Sequence, residues 1–264
     1  MTRKNLSCKI ETVILGCGAS SGVPVAACHC SVCQLLHPRN NRTRTAAWIH
    51  TESLSLLIDT GPDLRQQVLR EQIQKVDAVL YTHAHADHLN GIDDLRAFCV
   101  AQKMAMPIYS DKNTLKTIQQ RFNYALSTTK GYWDKLTIAP HIVKTDETFL
   151  LKNLPITPIL MSHGTQSCLG WRIGNMAWLT DISDIPQQSL AHLANLKLLY
   201  LDCLRNSPYP AHLTIEQAFN YAKQIGAQQT VLIHMSHDID YLALLKICPK
   251  GVTVGYDGMR LSII

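Results

Sequence analysis

No stretch of this chain is apolar for anything near the ~20 residues that cross a bilayer as a helix, so no membrane span is expected. Charged residues are sparse, 17% against 46% hydrophobic, a balance that excludes a disordered chain and suits an ordinary globular interior. No block of five or more like charges occurs, and the formal charge of +5 is spread along the sequence. Such a distribution draws small anions, but it lacks the basic stripe or aromatic-interleaved patch that extended nucleic acid requires. The start, Met1-Thr2-Arg3-Lys4-Asn5, is basic, yet Leu6-Ser7-Cys8-Lys9 supplies no apolar h-region. No secretory signal is expected, and the cytoplasm is the expected compartment. Repeats, low-complexity tracts and linkers are absent too, so the 264 residues are expected to form a single α/β domain spanning 1–264.

Cysteine is not scarce, but the count of nine is odd and no signal precedes it, which argues against a disulfide framework. Cys8, Cys17, Cys99, Cys168, Cys203 and Cys248 are scattered and read as buried free thiols. The other three form Cys28-His29-Cys30-Ser31-Val32-Cys33. C-x-C-x-x-C is compact enough to hold one soft or borderline metal, and tetrahedral zinc then needs a fourth donor from elsewhere. His29, between two ligands, would point away; His237 is the better donor. A reactive or merely buried cysteine cluster is the alternative.

The densest chemistry is Thr82-His83-Ala84-His85-Ala86-Asp87-His88, directly after the apolar run Val76–Tyr81. Three imidazoles and a carboxylate after a strand are costly unless a cation sits among them. The pattern reads H-x-H-x-D-H: His83 and His85 turn toward one point, Asp87 and His88 toward a second. Two ions about 3.5–4 Å apart, the spacing of dinuclear hydrolytic sites, fit that arrangement.

The remaining elements repeat the theme of a polar residue at a strand end. Ile10–Leu15 is expected to be a strand running into Gly16-Cys17-Gly18-Ala19-Ser20-Ser21-Gly22, either a plain turn or an active-site wall. That loop lacks Gly-Lys-Ser/Thr and is no phosphate-binding P-loop. Trp48–His50 and Leu54–Asp59 predict a hairpin, with Asp59 either an ordinary turn residue or the acceptor that fixes a metal-bound imidazole. Pro62–Gln74 and Asp93–Met104 predict helices, and Met106–Tyr109 a short strand. Residues 112–135 carry a weak helical pattern and a polar tip, and form a candidate lid or dimer segment. Ile156–Met161 leads to His163, and Met176–Leu179 to Asp181. Because His83 and His85 need a third donor and a pair of cations needs a bridging carboxylate, His163 and Asp181 are chosen for those places. Asp202, after Leu198–Leu201, reads more simply as a strand-end carboxylate. Gln229–Ile233 leads to His234, and Thr214 with Gln217 fits a capping box opening an amphipathic helix just after His212.

H-x-H-x-D-H followed by a histidine, an aspartate and a final histidine resembles the metallo-β-lactamase superfamily, whose fold is an αββα sandwich. Gly16–Pro24, C-x-C-x-x-C, His234-x-x-His237 and Tyr256-Asp257-Gly258-Met259 look like its PhnP group, phosphoribosyl cyclic phosphate phosphodiesterases, nearly end to end; residues 112–135 depart from it. By resemblance, His83, His85 and His163 hold one metal, Asp87, His88 and His234 the other, and Asp181 bridges. Cys28, Cys30, Cys33 and His237 hold a structural zinc. The catalytic pair is commonly manganese, with zinc or iron also accepted by such ligands. His212 falls where that group has its acid, and a homodimer is implied.

The expected activity is therefore hydrolysis of a small, anionic phosphodiester, a cyclic one foremost. The cation pair activates water, Asp87 orients the nucleophile and His212 protonates the leaving oxygen. Two other readings stand beside it. One is RNA processing of the tRNase Z type. The other is a non-catalytic metal-binding or redox module built on the cysteines.

Overall fold

The computed structural model describes residues 9–34, 37–126 and 135–264. One sheet is built from β1 (Ile10–Gly16), β2 (Ala46–His50), β3 (Ser55–Ile58), β4 (Ala78–Leu80), β5 (Met106–Ser110), β6 (Ile138–Ile142) and β14 (Arg260–Ile263), in the order β14-β1-β2-β3-β4-β5-β6. The other contains β7 (Phe149–Leu151), β8 (Leu154–His163), β9 (Gln166–Ile173), β10 (Met176–Leu179), β11 (Leu198–Asp202), β12 (Gln229–Ile233) and β13 (Val252–Val254), in the order β13-β12-β11-β10-β9-β8-β7. Helices α1 (Leu64–Arg70), α2 (Ala86–Leu89), α3 (Arg96–Gln102), α4 (Lys112–Arg121), α5 (Gln187–Leu190), α6 (Ile215–Ile225) and α7 (Tyr241–Ile247) complete the framework. The result is the αββα sandwich expected from the motifs. Among the described residues, no helix is long and apolar enough to cross a membrane.

The two-residue period of the strands sorts side chains between layers. Leu56, Ile58 and Leu80 point into the core between the sheets, whereas Leu57, Val79 and Tyr81 point outward against Leu64, Leu95, Phe98, Leu115 and Ile118. Trp171 and Trp178 face each other across the antiparallel pair of β9 and β10, both fully buried, and anchor the second sheet's inner face. Burial of side chains this large contributes several kcal/mol in all, on the order of 2–3 each.

Strands β3 to β6 pair in parallel, and so do β10 to β13. Parallel strands deliver their following loops to one edge, where open α/β sheets bind ligands. The loops after β3, β4, β10, β11 and β12 carry Asp59, His83, Asp181, Cys203 and His234 respectively, and His163 ends β8. Asp59, Asp181 and His234 have φ of 61°, 58° and 58°. Left-handed backbone at residues other than glycine is uncommon and clusters at functional sites.

Some elements are shorter than their sequence patterns. The helix after Pro62 covers only Leu64–Arg70, because the chain turns into left-handed backbone at Gln72, φ 55°; ahead of it, Asp63 does not cap the helix, its carboxylate accepting instead from the Arg44 amide at 2.8 Å and the Arg44 guanidinium at 2.9 Å. Asp93–Met104 divides into a 3-10 turn, Ile92–Leu95, and α3. Of the candidate lid, α4 is capped by Asp111 and buries Leu115 and Ile118, which makes it a packed part of the outer layer. Its tip, 127–134, lies outside the described residues. The capping box at Thr214 is present in both directions. Thr214→Ala should therefore cost roughly 1 kcal/mol of stability, read as a lower urea midpoint with unchanged slope.

Candidate metal centres

The loop after β4 turns at once into α2, so His83 and His85 leave the strand end on one side while Asp87 and His88 sit in the first turn of the helix. Gly61 permits the close packing beneath: a Cβ there would lie 2.1 Å from the Asp87 carbonyl oxygen. The Thr60 amide donates to the His88 carbonyl at 2.8 Å, tying the β3 loop to this one.

Two donor groups result. His83, His85 and His163 form the first, with His163 Nε2 3.3 Å from His85 Nδ1. Asp87, His88, Asp181 and His234 form the second: His88 Nε2 lies 3.2 Å from Asp87 Oδ2 and 3.1 Å from Asp181 Oδ2, and His234 Nε2 lies 3.3 Å from Asp181 Oδ1. Asp181 also stands within 4.8 Å of the donor atom of His163, so its carboxylate reaches both groups. Every residue chosen from the sequence for the pair of cations is brought to this one edge.

Electrostatics differ between the groups. Burial pushes the His83 and His163 imidazoles down, which keeps them neutral with a lone pair free for a cation. Burial also opposes charge on His88 and His234, but the carboxylates outweigh it: Asp181, Asp87 and Asp59 push His88 well up, and Asp181 with Asp202 and Asp87 pushes His234 up to about 10. Conversely, against burial, His88 and His234 hold the Asp87 and Asp181 carboxyls well below the usual range. The Nε2 atoms of His83, His88 and His234 are buried yet lack a hydrogen-bond partner. Buried polar atoms without partners are costly, and a divalent cation in each group would satisfy them. The donor set therefore fits divalent metal ions.

Supporting residues fix the rings. Asp59 Oδ2 accepts from His88 Nδ1 at 2.7 Å and from the Thr82 hydroxyl at 2.8 Å, while its Oδ1 accepts from the Thr82 amide at 2.8 Å. Of its two readings, the acceptor for an imidazole is the one the contacts match. His163 Nδ1 donates to the Ala211 carbonyl at 2.9 Å. Asp202 is the residue sequence reasoning undervalued. Because β11 lies between β10 and β12, its last carboxylate falls between the Asp181 and His234 loops, with Oδ1 3.1 Å from His234 Nδ1 and 3.5 Å from His212 Nδ1. Amides of Asp181 and Leu213 donate to it at 3.1 and 3.0 Å. His212 is only partly buried, and its Nε2 lies 4.0 Å from Asp181 Oδ1, at the mouth of the site with His85 and Asp87. The Gly16–Gly22 loop runs beside the last ligand segment, with Ala19 donating to the Met235 carbonyl and Met235 donating to that of Cys17.

The cysteine cluster is complete as well. Cys28, Cys30 and Cys33 place Sγ 3.2, 3.6 and 3.5 Å from His237 Nδ1, while His29 is exposed outside the cluster. Tetrahedral zinc with Zn–S of about 2.3 Å and Zn–N of about 2.0 Å would hold sulfur and nitrogen about 3.5 Å apart. The Cys33 amide, aimed at Cys30 Sγ, leads the contacts that bring that thiol down to about 6, toward the thiolate a metal requires. For a zinc held by this cluster, Cys30→Ser should lower the metal content by one zinc per chain, counted by elemental analysis, without touching the histidine-rich groups. It should also lower stability by on the order of 3 kcal/mol.

The family model described as "Beta-lactamase superfamily domain" matches residues 55–235, which include both histidine-rich groups. A Porphyromonas gingivalis protein named octanoyltransferase is 39% identical over 257 residues, 96% of this chain but 52% of that protein. A Clostridium kluyveri ribonuclease Z is 30% identical over 88 residues, 33% of this chain and 24% of that one. The chain thus spans about half, or less, of the length of these curated relatives. Among solved structures, a diphosphatase described as belonging to the PhnP family superposes with a TM-score of 0.90 at 33% identity over 97% of each chain.

Proposed function

The chain belongs to the beta-lactamase superfamily, and from that premise we propose that it is a dinuclear metal-dependent hydrolase of small phosphodiesters, with cyclic ones such as a phosphoribosyl 1,2-cyclic phosphate as preferred substrates. The observation that carries the reading is the Asp181 carboxylate, set between two groups of imidazoles in which the buried Nε2 atoms of His83, His88 and His234 have no hydrogen-bond partner. A pair of divalent cations, when bound, would supply a more acidic water and neutralise charge growing on the phosphoryl oxygens. His83, His85 and His163 would hold one, Asp87, His88 and His234 the other, and Asp181 would reach both. Manganese, zinc and iron all suit nitrogen and carboxylate donors of this kind. Asp87, half-buried at the mouth, has a carboxylate placed to orient the attacking water. His212 presents Nε2 to the same opening while its Nδ1 faces Asp202, so a proton on Nε2 is aimed at a leaving oxygen and the resulting charge change is buffered by the carboxylate behind.

Attack at phosphorus is supported by the likeness to a PhnP-family diphosphatase. A second reading, RNA 3′ processing, is favoured by the identity with a ribonuclease Z over 88 residues. Against it stands the absence of any basic run to hold a folded RNA. The test is one panel, a ribose cyclic phosphate, a dinucleoside diphosphate and a structured precursor RNA, each assayed with manganese, zinc and iron. Preferred turnover of the cyclic diester supports the proposal, and preferred cleavage of the RNA overturns it in favour of the nuclease.

A further inference from the structure

The acid candidate His212 is carried on a closed loop of the chain, residues 205–214. Its base is fixed where Arg205 bridges Thr214 and its carbonyl accepts from the Ile215 amide at 3.1 Å. Its tip is an antiparallel bridge between Tyr209 and His212 around the two-residue turn Pro210-Ala211. Directly opposed residues of an antiparallel bridge put their side chains on the same face. The Tyr209 ring accordingly lies beside that of His212, with centroids 5.6 Å apart and planes at 37°. Its other neighbour is the Arg205 guanidinium, 5.6 Å from the ring centroid and pinned to Asp238 by contacts of 2.9 and 3.0 Å. So braced, the ring is nonetheless 47% exposed. Tyr124, comparably exposed at 45%, has its hydroxyl donated to Asp93 and does not touch the site.

We propose that Tyr209 is a specificity-determining platform that receives the sugar ring of the leaving group. The proposal rests on the phosphodiesterase reading, because it takes its direction from His212. If Nε2 of that imidazole protonates the leaving oxygen, the carbon framework attached to that oxygen extends past His212 and onto the adjacent ring. An aromatic face offers a pentose its apolar C–H edge contact without demanding a charged group, and a ring already held by Arg205 loses little freedom on binding. Arg205 itself is neutralised by Asp238 and acts as a brace.

The test pairs two cyclic diesters that share a five-membered phosphate ring, ribose 1,2-cyclic phosphate with the sugar and ethylene phosphate without it. With manganese-loaded protein, Tyr209→Ala should raise KM for the ribose compound about fivefold to tenfold, leave its kcat within about twofold and leave both constants for ethylene phosphate unchanged. Tyr209→Phe should restore the wild-type KM. Titration calorimetry should show the same loss in affinity for ribose 1-phosphate, a readout independent of turnover. Equal effects on the two substrates, a fall in kcat on both, or unaltered product affinity would each overturn the platform and leave Tyr209 a mere support for His212. Failure of the wild type to hydrolyse either diester strikes the underlying reading instead, and product binding by wild type and Tyr209→Ala then still decides whether the ring receives a sugar.

Discussion

Asp181→Asn should lower kcat/KM on any accepted phosphodiester by at least about a thousandfold, equivalent to roughly 4 kcal/mol of barrier, and should leave the protein unable to retain a pair of catalytic cations. The carboxylate accepts from the Thr180 hydroxyl at 2.7 Å and turns its two oxygens toward His88 and His234, with His163 and His212 within reach. An amide of the same shape keeps the volume but forfeits the charge, and its NH2 points a donor at imidazoles that also need an acceptor or a metal. Folding should survive, since asparagine tolerates the left-handed backbone that Asp181 adopts at φ 58°. Elemental analysis separates the outcomes: the zinc proposed for the cysteine cluster should remain, whereas the metal proposed for the histidine-rich groups should fall to a single ion or none. Near-normal activity with both cations retained would mean that Asp181 is not the link between the two groups.

That the two donor groups form one site follows from strand order, and strand order is where sequence reasoning reaches its end. H-x-H-x-D-H after β4, and single histidines or aspartates after β8, β10 and β12, are visible in the chain because each follows a buried apolar run and each meets a need set by the others. Asp202 met no such need. It reads as an ordinary strand-end carboxylate until β11 is seen between β10 and β12, where the same residue supports both His234 and His212. The acid role proposed for His212 likewise comes from resemblance; only the folded chain reveals that its ring is backed by a carboxylate and opens onto the site.

The unread elements share a different physical cause. Strand β6 contains Pro140 and lies at the edge of its sheet, with Ile142 65% exposed, so it lacks the alternation that marks a half-buried strand. Helix α7 leaves Leu242, Leu245 and Ile247 partly in solvent and buries only Tyr241 and Leu244, which blurs its apolar stripe. Strands β7 and β13 are three residues each and, unlike the equally short β4 within Val76–Tyr81, are not extended by a longer apolar run. Where one face of an element is firmly buried the pattern is legible; at the margins of the sandwich it fades.

His212→Ala should lower kcat by roughly 10²–10⁴-fold, the usual worth of a positioned acid, with both catalytic cations still bound. The ring stands at the mouth of the site, 4.0 Å from Asp181 Oδ1 by Nε2, and is not needed to complete either donor group. A general acid makes a more specific demand than a ligand, because its value depends on how badly the leaving oxygen needs a proton. An alkoxide leaving group should therefore suffer the full loss, whereas p-nitrophenolate, which departs without protonation, should be hydrolysed by the variant at nearly the wild-type rate. Asp202→Asn should reproduce the same leaving-group dependence in weaker form, on the order of 10–100-fold for the alkoxide, because it frees the imidazole to turn without removing it. Asp202 also touches His234, so metal content must be measured alongside. A loss that is equal for both leaving groups in His212→Ala would assign the histidine to binding or metal retention, and proton delivery would then have to come from solvent at the open side of the cleft.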